Sequence, residues 1–225
     1  MPYALNDALV FKKYAISTFG IPEGNIKYIS NGTATQMKNS IKNFAGLMAI
    51  NSSEREFYIY YAGHGYHDST KNAYLMPVDV KSTNMDDAIK LSEFYTTLAN
   101  YNTKSTTVFL DACFSGGGRD GALVTARAGI KLKPNEVALQ SNLVVFAASS
   151  DKQVSKPYKD KKHGLFTYYL LKQLQDSNGN ITYGNLATGV INDVKTKSRL
   201  LTEEEQTPKV NISPKVKDSW ENMKF

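Results

Sequence analysis

A histidine set between two glycines and the only cysteine of the chain are the residues whose types and surroundings invite chemistry. His64 stands in Tyr60-Tyr61-Ala62-Gly63-His64-Gly65-Tyr66-His67, and Cys113 in Asp111-Ala112-Cys113-Phe114-Ser115-Gly116-Gly117-Gly118. A thiol attacks a carbonyl carbon as the thiolate, and a neighbouring imidazole takes its proton and later protonates a leaving amine. The tetrahedral oxyanion formed on the way needs fixed N–H donors, which glycine admits because no side chain blocks the approach. The backbone amides of Gly65 and Cys113 are the candidate donors. Taken singly, a lone cysteine is more often a small buried hydrophobe and a lone histidine a satisfied structural residue. A zinc site joining His64 and His67 to Cys113 or Asp68 is another reading of the same residues, but its spacing matches no standard zinc pattern. No metal or cofactor is therefore expected.

The elements around these residues explain why they belong together. Three short runs, Glu56 to Tyr61, Thr106 to Leu110 and Asn142 to Ala147, are β-branched or aromatic and nearly continuous in hydrophobicity, as buried parallel strands are. Helical spacing of apolar residues covers Leu5 to Phe19, Thr33 to Ile50, Leu91 to Tyr101, Leu165 to Gln175 and Tyr183 to Lys195. Asn25 to Ser30, closed by Asn31-Gly32, reads as one further short strand. Strands alternating with helices predict an α/β fold, a mostly parallel sheet with helices on both faces. His64 follows the first of the three buried strands and Cys113 the second, 49 positions later. If those strands are parallel neighbours, both residues reach the carboxyl edge of the sheet, where open α/β folds bind ligands. Long irregular stretches, 63–90, 115–140 and 149–164, begin at or just past those strand ends.

Composition narrows the function classes. The 225 residues are 41% hydrophobic, enough for a sizeable core, and no run approaches the length of a membrane span. The net charge of +6 is spread along the chain, and its densest group, Lys152 to Lys162, also holds Asp151 and Asp160. That describes a solvated loop and not a nucleic-acid face. A single cysteine excludes an internal disulfide and suits a reducing compartment such as the cytoplasm.

The two motifs, YAGHG and DACFSGG, resemble the His and Cys motifs of the caspase-like cysteine peptidases, on the metacaspase and bacterial-homologue side. The likeness extends along nearly the whole chain, through YALNDA at 3–8, VFAASS at 145–150, HGLFTYYLLKQL at 163–174 and QTP at 206–208. The resemblance implies one caspase-like peptidase domain over 1–225, a three-layer sandwich, with Cys113 as nucleophile and His64 as general base and acid. Caspases proper carry Gln two places before the nucleophile and cut after acidic residues. This chain has Asp111 there, as metacaspases do, and residues two apart on a strand face the same side. The resemblance makes Asp111 and Asp7 a substrate-binding pair for Arg or Lys at the P1 position of protein or peptide substrates. Two carboxylates facing a guanidinium give charge-assisted hydrogen bonds. Read without the resemblance, Asp111 is a carboxylate bonded to loop amides and Asp7 a helix-start acid favoured by the dipole. Metacaspases are mostly monomeric, so a monomer is expected, with neither nucleic acid nor membrane as partner.

Four departures from the family pattern carry expectations of their own. Ala62 stands where many metacaspases have Ser. The acidic calcium loop has no counterpart beyond the scattered Asp68, Asp79, Asp86 and Asp87, so calcium dependence is not expected. The 115–140 loop carries Arg119, Arg127, Lys131 and Lys133, which suits either self-cleavage or a plain solvated loop. Finally, the apolar strand that precedes the YALNDA segment in the family has no counterpart, as in a trimmed or C-terminal part of a longer protein. The sheet should then have fewer than six strands, or an exposed edge open to pairing with another chain. That gap favours an alternative reading, an inactive caspase-fold binding or scaffold module, whereas the intact His and Cys motifs favour an enzyme.

Overall fold

The structure, a computed structural model, describes residues 1–50, 52–114, 137–150, 153–202 and 204–225. The basic residues of the 115–140 loop, Arg119 to Lys133, lie outside the described residues. Along the chain run α1 (Ala4–Ser17), α2 (Ala34–Met48), β1 (Glu56–Ala62), β2 (Gly65–His67), β3 (Ala73–Leu75) and β4 (Ile89–Lys90). They are followed by α3 (Leu91–Ala99), β5 (Ser105–Asp111), β6 (Leu143–Ala147), β7 (Pro157–Tyr158), β8 (His163–Gly164), α4 (Leu165–Asp176), α5 (Tyr183–Thr202) and β9 (Lys209–Ile212).

Among the described residues the three apolar runs form three strands of a four-stranded sheet in the order β1-β5-β6-β9. β1, β5 and β6 are parallel, with Ala62 opposite Asp111 and Leu110 opposite Ala147, and β9 closes the far side antiparallel. Successive side chains of a strand point to opposite faces, and β5 divides accordingly. Phe109 packs with Phe11 of α1, Leu165 and Phe166 of α4 and Leu186 of α5, while Val108 and Leu110 pack with Met48 of α2 and Phe94 and Leu98 of α3. All seven residues of β5 are buried. That is why Val108, Phe109 and Leu110 follow one another without alternation, and why helices must cover both faces.

Local chemistry starts the helices. Thr33 and Gln36 exchange hydrogen bonds across the first turn of α2, a capping box, and Asp79 Oδ1 accepts the Ala34 N–H at 2.8 Å. The stretch 63–90 holds a small antiparallel sheet, β2-β3-β4, in place of an irregular loop. Its first turn is organised by Asp68, whose Oδ1 accepts the Thr70 and Asn72 N–H groups, each at 2.9 Å, and whose Oδ2 accepts the Asn72 amide and Tyr74 hydroxyl, each at 2.9 Å. Burial acts to raise the pKa of this carboxyl, but the donors from Asn72, Thr70 and Tyr74 outweigh it and hold the group well below the usual carboxylate range. A depressed folded-state pKa contributes stability above the unfolded value, about 4, and loses it as pH falls below that. Asp68→Asn is therefore expected to lower the melting temperature at pH 7, with the gap to wild type closing below about pH 4. Thermal unfolding of both proteins across that range checks it.

Two elements differ from the sequence reading. The segment 25–30, expected as a strand, is extended at Ile26 (φ −106°, ψ 117°) but pairs with no strand among the described residues. An alternating pattern becomes a strand only when a neighbour takes its backbone groups. Conversely, Lys209–Ile212 pairs with β6 although its alternation of polar and apolar residues, four long, is too short to mark a strand. Among the described residues the sheet has four strands, fewer than six, and β1 is an edge strand of it that is only half-buried. No helix among the described residues is long and apolar enough to cross a membrane.

Candidate active site

Because β1 and β5 run parallel and in register to their ends, the segments that follow them leave the sheet side by side. The Gly63 N–H reaches the Asp111 carbonyl at 3.3 Å, one residue beyond β1, and the chain then turns through His64 into β2. The His64 carbonyl accepts the Tyr61 hydroxyl at 2.8 Å and the Met76 N–H at 3.0 Å. A Cβ on Gly63 would lie 2.4 Å from the Tyr61 oxygen, and a Cβ on Gly65 would lie 2.7 Å from the Cys113 carbonyl and from the Phe114 ring. Both glycines are thus required by close approach, and the second puts the His64 turn directly against the Cys113 backbone. The Met76–His64 bond makes that pair a hydrogen-bonded one, so Gly65 and Leu75 form the next, non-bonded pair, and the Gly65 N–H points away from β3.

Cys113 is 3% exposed. Its Sγ lies 3.6 Å from the Gln153 carbonyl, a thiol donating to a main-chain acceptor. The 153–156 segment is strapped down over this point from the chain's C-terminal part. Gln153 Oε1 accepts the Thr207 N–H at 2.6 Å, and Ser155 Oγ donates to the Ala112 carbonyl at 3.4 Å. Gln206, fully buried, donates from Nε2 to the Ala148 carbonyl and accepts the Lys156 N–H at Oε1, both at 2.8 Å. Lys156 Nζ pairs with Glu204 at 3.1 Å.

The two candidate pocket acids come to one place, the first turn of α4. Asp111 is fully buried, and its Oδ2 accepts the Thr167 hydroxyl at 2.5 Å and the Thr167 N–H at 3.3 Å. Asp7, also fully buried, accepts the Gly164 N–H at 3.1 and 3.0 Å through its two oxygens and faces His163 Nδ1 at 2.8 Å. Unpaired N–H groups at a helix start favour negative charge, which is why two carboxylates tolerate complete burial here. His163 stands just before α4, where it fixes Asp7, and Asn6 Nδ2 donates to the Lys162 carbonyl beside it at 2.9 Å.

The remaining acids of the sequence reading lie apart. Asp68 is committed to the β2–β3 turn, Asp79 to the start of α2, and Asp87 pairs with Lys38 at 2.6 Å. His67 Nδ1 lies 3.1 Å from the Asp68 carbonyl. Sequence reasoning missed Thr167, Gln153, Gln206 and the hydroxyls of Tyr60 and Tyr61 as parts of the site. Thr167 and Gln206 fall within HGLFTYYLLKQL and QTP, the stretches of resemblance that could have drawn attention to them.

The Caspase domain family model matches residues 2–218. Among solved structures the chain is similar to caspase-1 from Spodoptera frugiperda, at 14% identity and a TM-score of 0.59, covering 93% of this chain and 78% of that one. It is also similar to a protein from Geobacter sulfurreducens, at 17% identity and a TM-score of 0.54, covering 78% of this chain and 72% of that one. At such identities the two structures speak for the fold. No curated protein sequence matches the chain.

Proposed function

The chain belongs to the caspase-domain family, whose members are cysteine peptidases, and on that premise we propose that it is a monomeric endopeptidase cutting protein or peptide chains after Arg or Lys. The observation that carries the catalytic half is the contact of the Gly65 backbone with Cys113, which brings a histidine turn and a thiol to one rim of the sheet. His64 takes the Cys113 proton, and the thiolate attacks the scissile carbonyl carbon. The Gly65 and Cys113 N–H groups hold the oxyanion, and the C–N bond breaks as His64 returns the proton to the departing amine. Water activated by His64 then hydrolyses the thioester and regenerates the thiol. The Gln153 carbonyl must give way for substrate to reach Sγ.

The basic specificity is supported by Asp111 and Asp7 meeting at one helix start, because a cationic side chain entering beside them would neutralise two buried negative charges. Turnover of matched fluorogenic peptides ending in Arg, Lys, Asp or Ala tests the reading. Cleavage after Asp would keep the peptidase and overturn its specificity. The second reading, an inactive binding module, draws on the nearly complete covering of Cys113. It predicts no turnover of any peptide and thiol alkylation that does not depend on His64.

A further inference from the structure

Tyr60 and Tyr61 are consecutive at the end of β1 and so project to opposite faces of the sheet. Tyr60 packs in the core formed with α1 and α4, Tyr61 in the core formed with α2 and α3. Each hydroxyl ends on a different half of the site. The Tyr61 oxygen donates to the His64 carbonyl at 2.8 Å, with the Met76 carbonyl at 3.3 Å, and its ring lies so close under the turn that only glycine fits at position 63. Burial holds the Tyr61 phenol well above its ordinary pKa, so it is a donor at neutral pH. On the other face the Tyr60 oxygen lies 2.7 Å from Thr167 Oγ1, and the Thr167 proton is committed to Asp111 Oδ2 at 2.5 Å. A carboxylate only accepts, so the proton between the two hydroxyls comes from Tyr60. The Tyr60 ring is held by stacking on Phe11, with centroids 4.3 Å apart.

We propose that the two tyrosines are positioning residues with divided tasks: Tyr61 fixes the His64 turn and so the chemical step, while Tyr60, through Thr167, fixes Asp111 and so the choice of side chain before the cut bond. The division rests on the peptidase reading above. Displacing a general base by a fraction of an ångström costs rate at the chemical step, whereas loosening a carboxylate that meets only the bound side chain costs binding.

The test compares full-length wild type with Tyr61→Phe, Tyr60→Phe and Thr167→Val, each checked for fold by thermal unfolding. Kinetics are read on Arg and Ala peptides, and Cys113 alkylation by iodoacetamide is followed against pH. Tyr61→Phe is expected to lower kcat on both peptides about tenfold, with KM within about twofold. It should also change the pH profile of Cys113 alkylation from that of wild type. Tyr60→Phe and Thr167→Val are expected to keep the wild-type alkylation midpoint and to reduce the Arg-over-Ala preference about five- to tenfold, chiefly through KM. Equal losses in every readout for all three variants would overturn the division, as would an unchanged alkylation profile in Tyr61→Phe. If Tyr61→Phe does not fold, a dependence of the Tyr60 and Thr167 variants on kcat instead of preference overturns it equally. A wild type that cleaves no peptide fails the peptidase reading itself, and the alkylation profile, which needs no substrate, then decides the Tyr61 half alone. A wild type that cleaves without basic preference removes the Tyr60 half together with the pocket.

Discussion

Cys113→Ala is expected to eliminate turnover of every peptide, a loss on the order of 10⁵-fold or more, and His64→Ala to lose nearly as much. The double variant should be no slower than either single one, because nucleophile and base act as one unit and the first removal already forfeits the covalent route. Neither substitution should unfold the protein. Cys113 follows a strand whose core contacts belong to Val108, Phe109 and Leu110, and Ala fills most of its space. Progress curves on the best fluorogenic peptide, with melting temperatures measured alongside, provide the check. A Cys113→Ala protein that still cut peptides would sink the acyl-enzyme mechanism outright.

The second large effect belongs to Asp111. Asn at this position keeps the shape and can still accept the Thr167 donors, so the site survives while one charge is lost. A unit charge pair about 4 Å apart at an effective dielectric near 20 is worth roughly 4 kcal/mol, and each ~1.4 kcal/mol is tenfold. Asp111→Asn is therefore expected to lower kcat/KM for Arg and Lys peptides by about two to three orders of magnitude, while changing Ala peptides by less than about tenfold. Unchanged Arg turnover in the variant would remove Asp111 from substrate binding and leave it a helix-start carboxylate. The same measurement on Asp7→Asn separates the two acids. Asp7 also anchors Gly164 and His163, so its loss should cost melting temperature as well as selectivity.

How much of this was legible in the sequence depended on how each part is held. β1, β5 and β6 announce themselves because each holds a run of apolar or aromatic residues without alternation. β9 does not, because Lys209-Val210-Asn211-Ile212 alternates over four residues, too few to stand out from a loop. β2, β3 and β4, two or three residues each, are too short for any periodicity. The segment 25–30 misled for the opposite reason, since its pattern is right but it pairs with no strand among the described residues. Within the site, His64 and Cys113 stand out through glycines and strand ends, features that sequence displays directly. The meeting of Asp7 with Asp111 at α4 depends on residues 156 and 56 positions away from them, which only the resemblance hinted at. Tyr60, Tyr61, Thr167 and Gln153 act through neutral hydroxyl, amide or main-chain groups. In a sequence such residues look like any other core or loop position.

The contact between Cys113 and the Gln153 carbonyl also governs how the protein ages. Sulfur is oxidised to sulfenic and then irreversible acids in proportion to its thiolate character and its exposure. With Cys113 3% exposed and its proton directed at a main-chain oxygen, the idle protein offers peroxide little to attack. On the proposed mechanism, each turnover would displace the 153–156 strap and uncover the sulfur beside a base. Oxidative inactivation should accordingly scale with the number of bonds cut and not with hours on the bench, giving a long shelf life and a short working one.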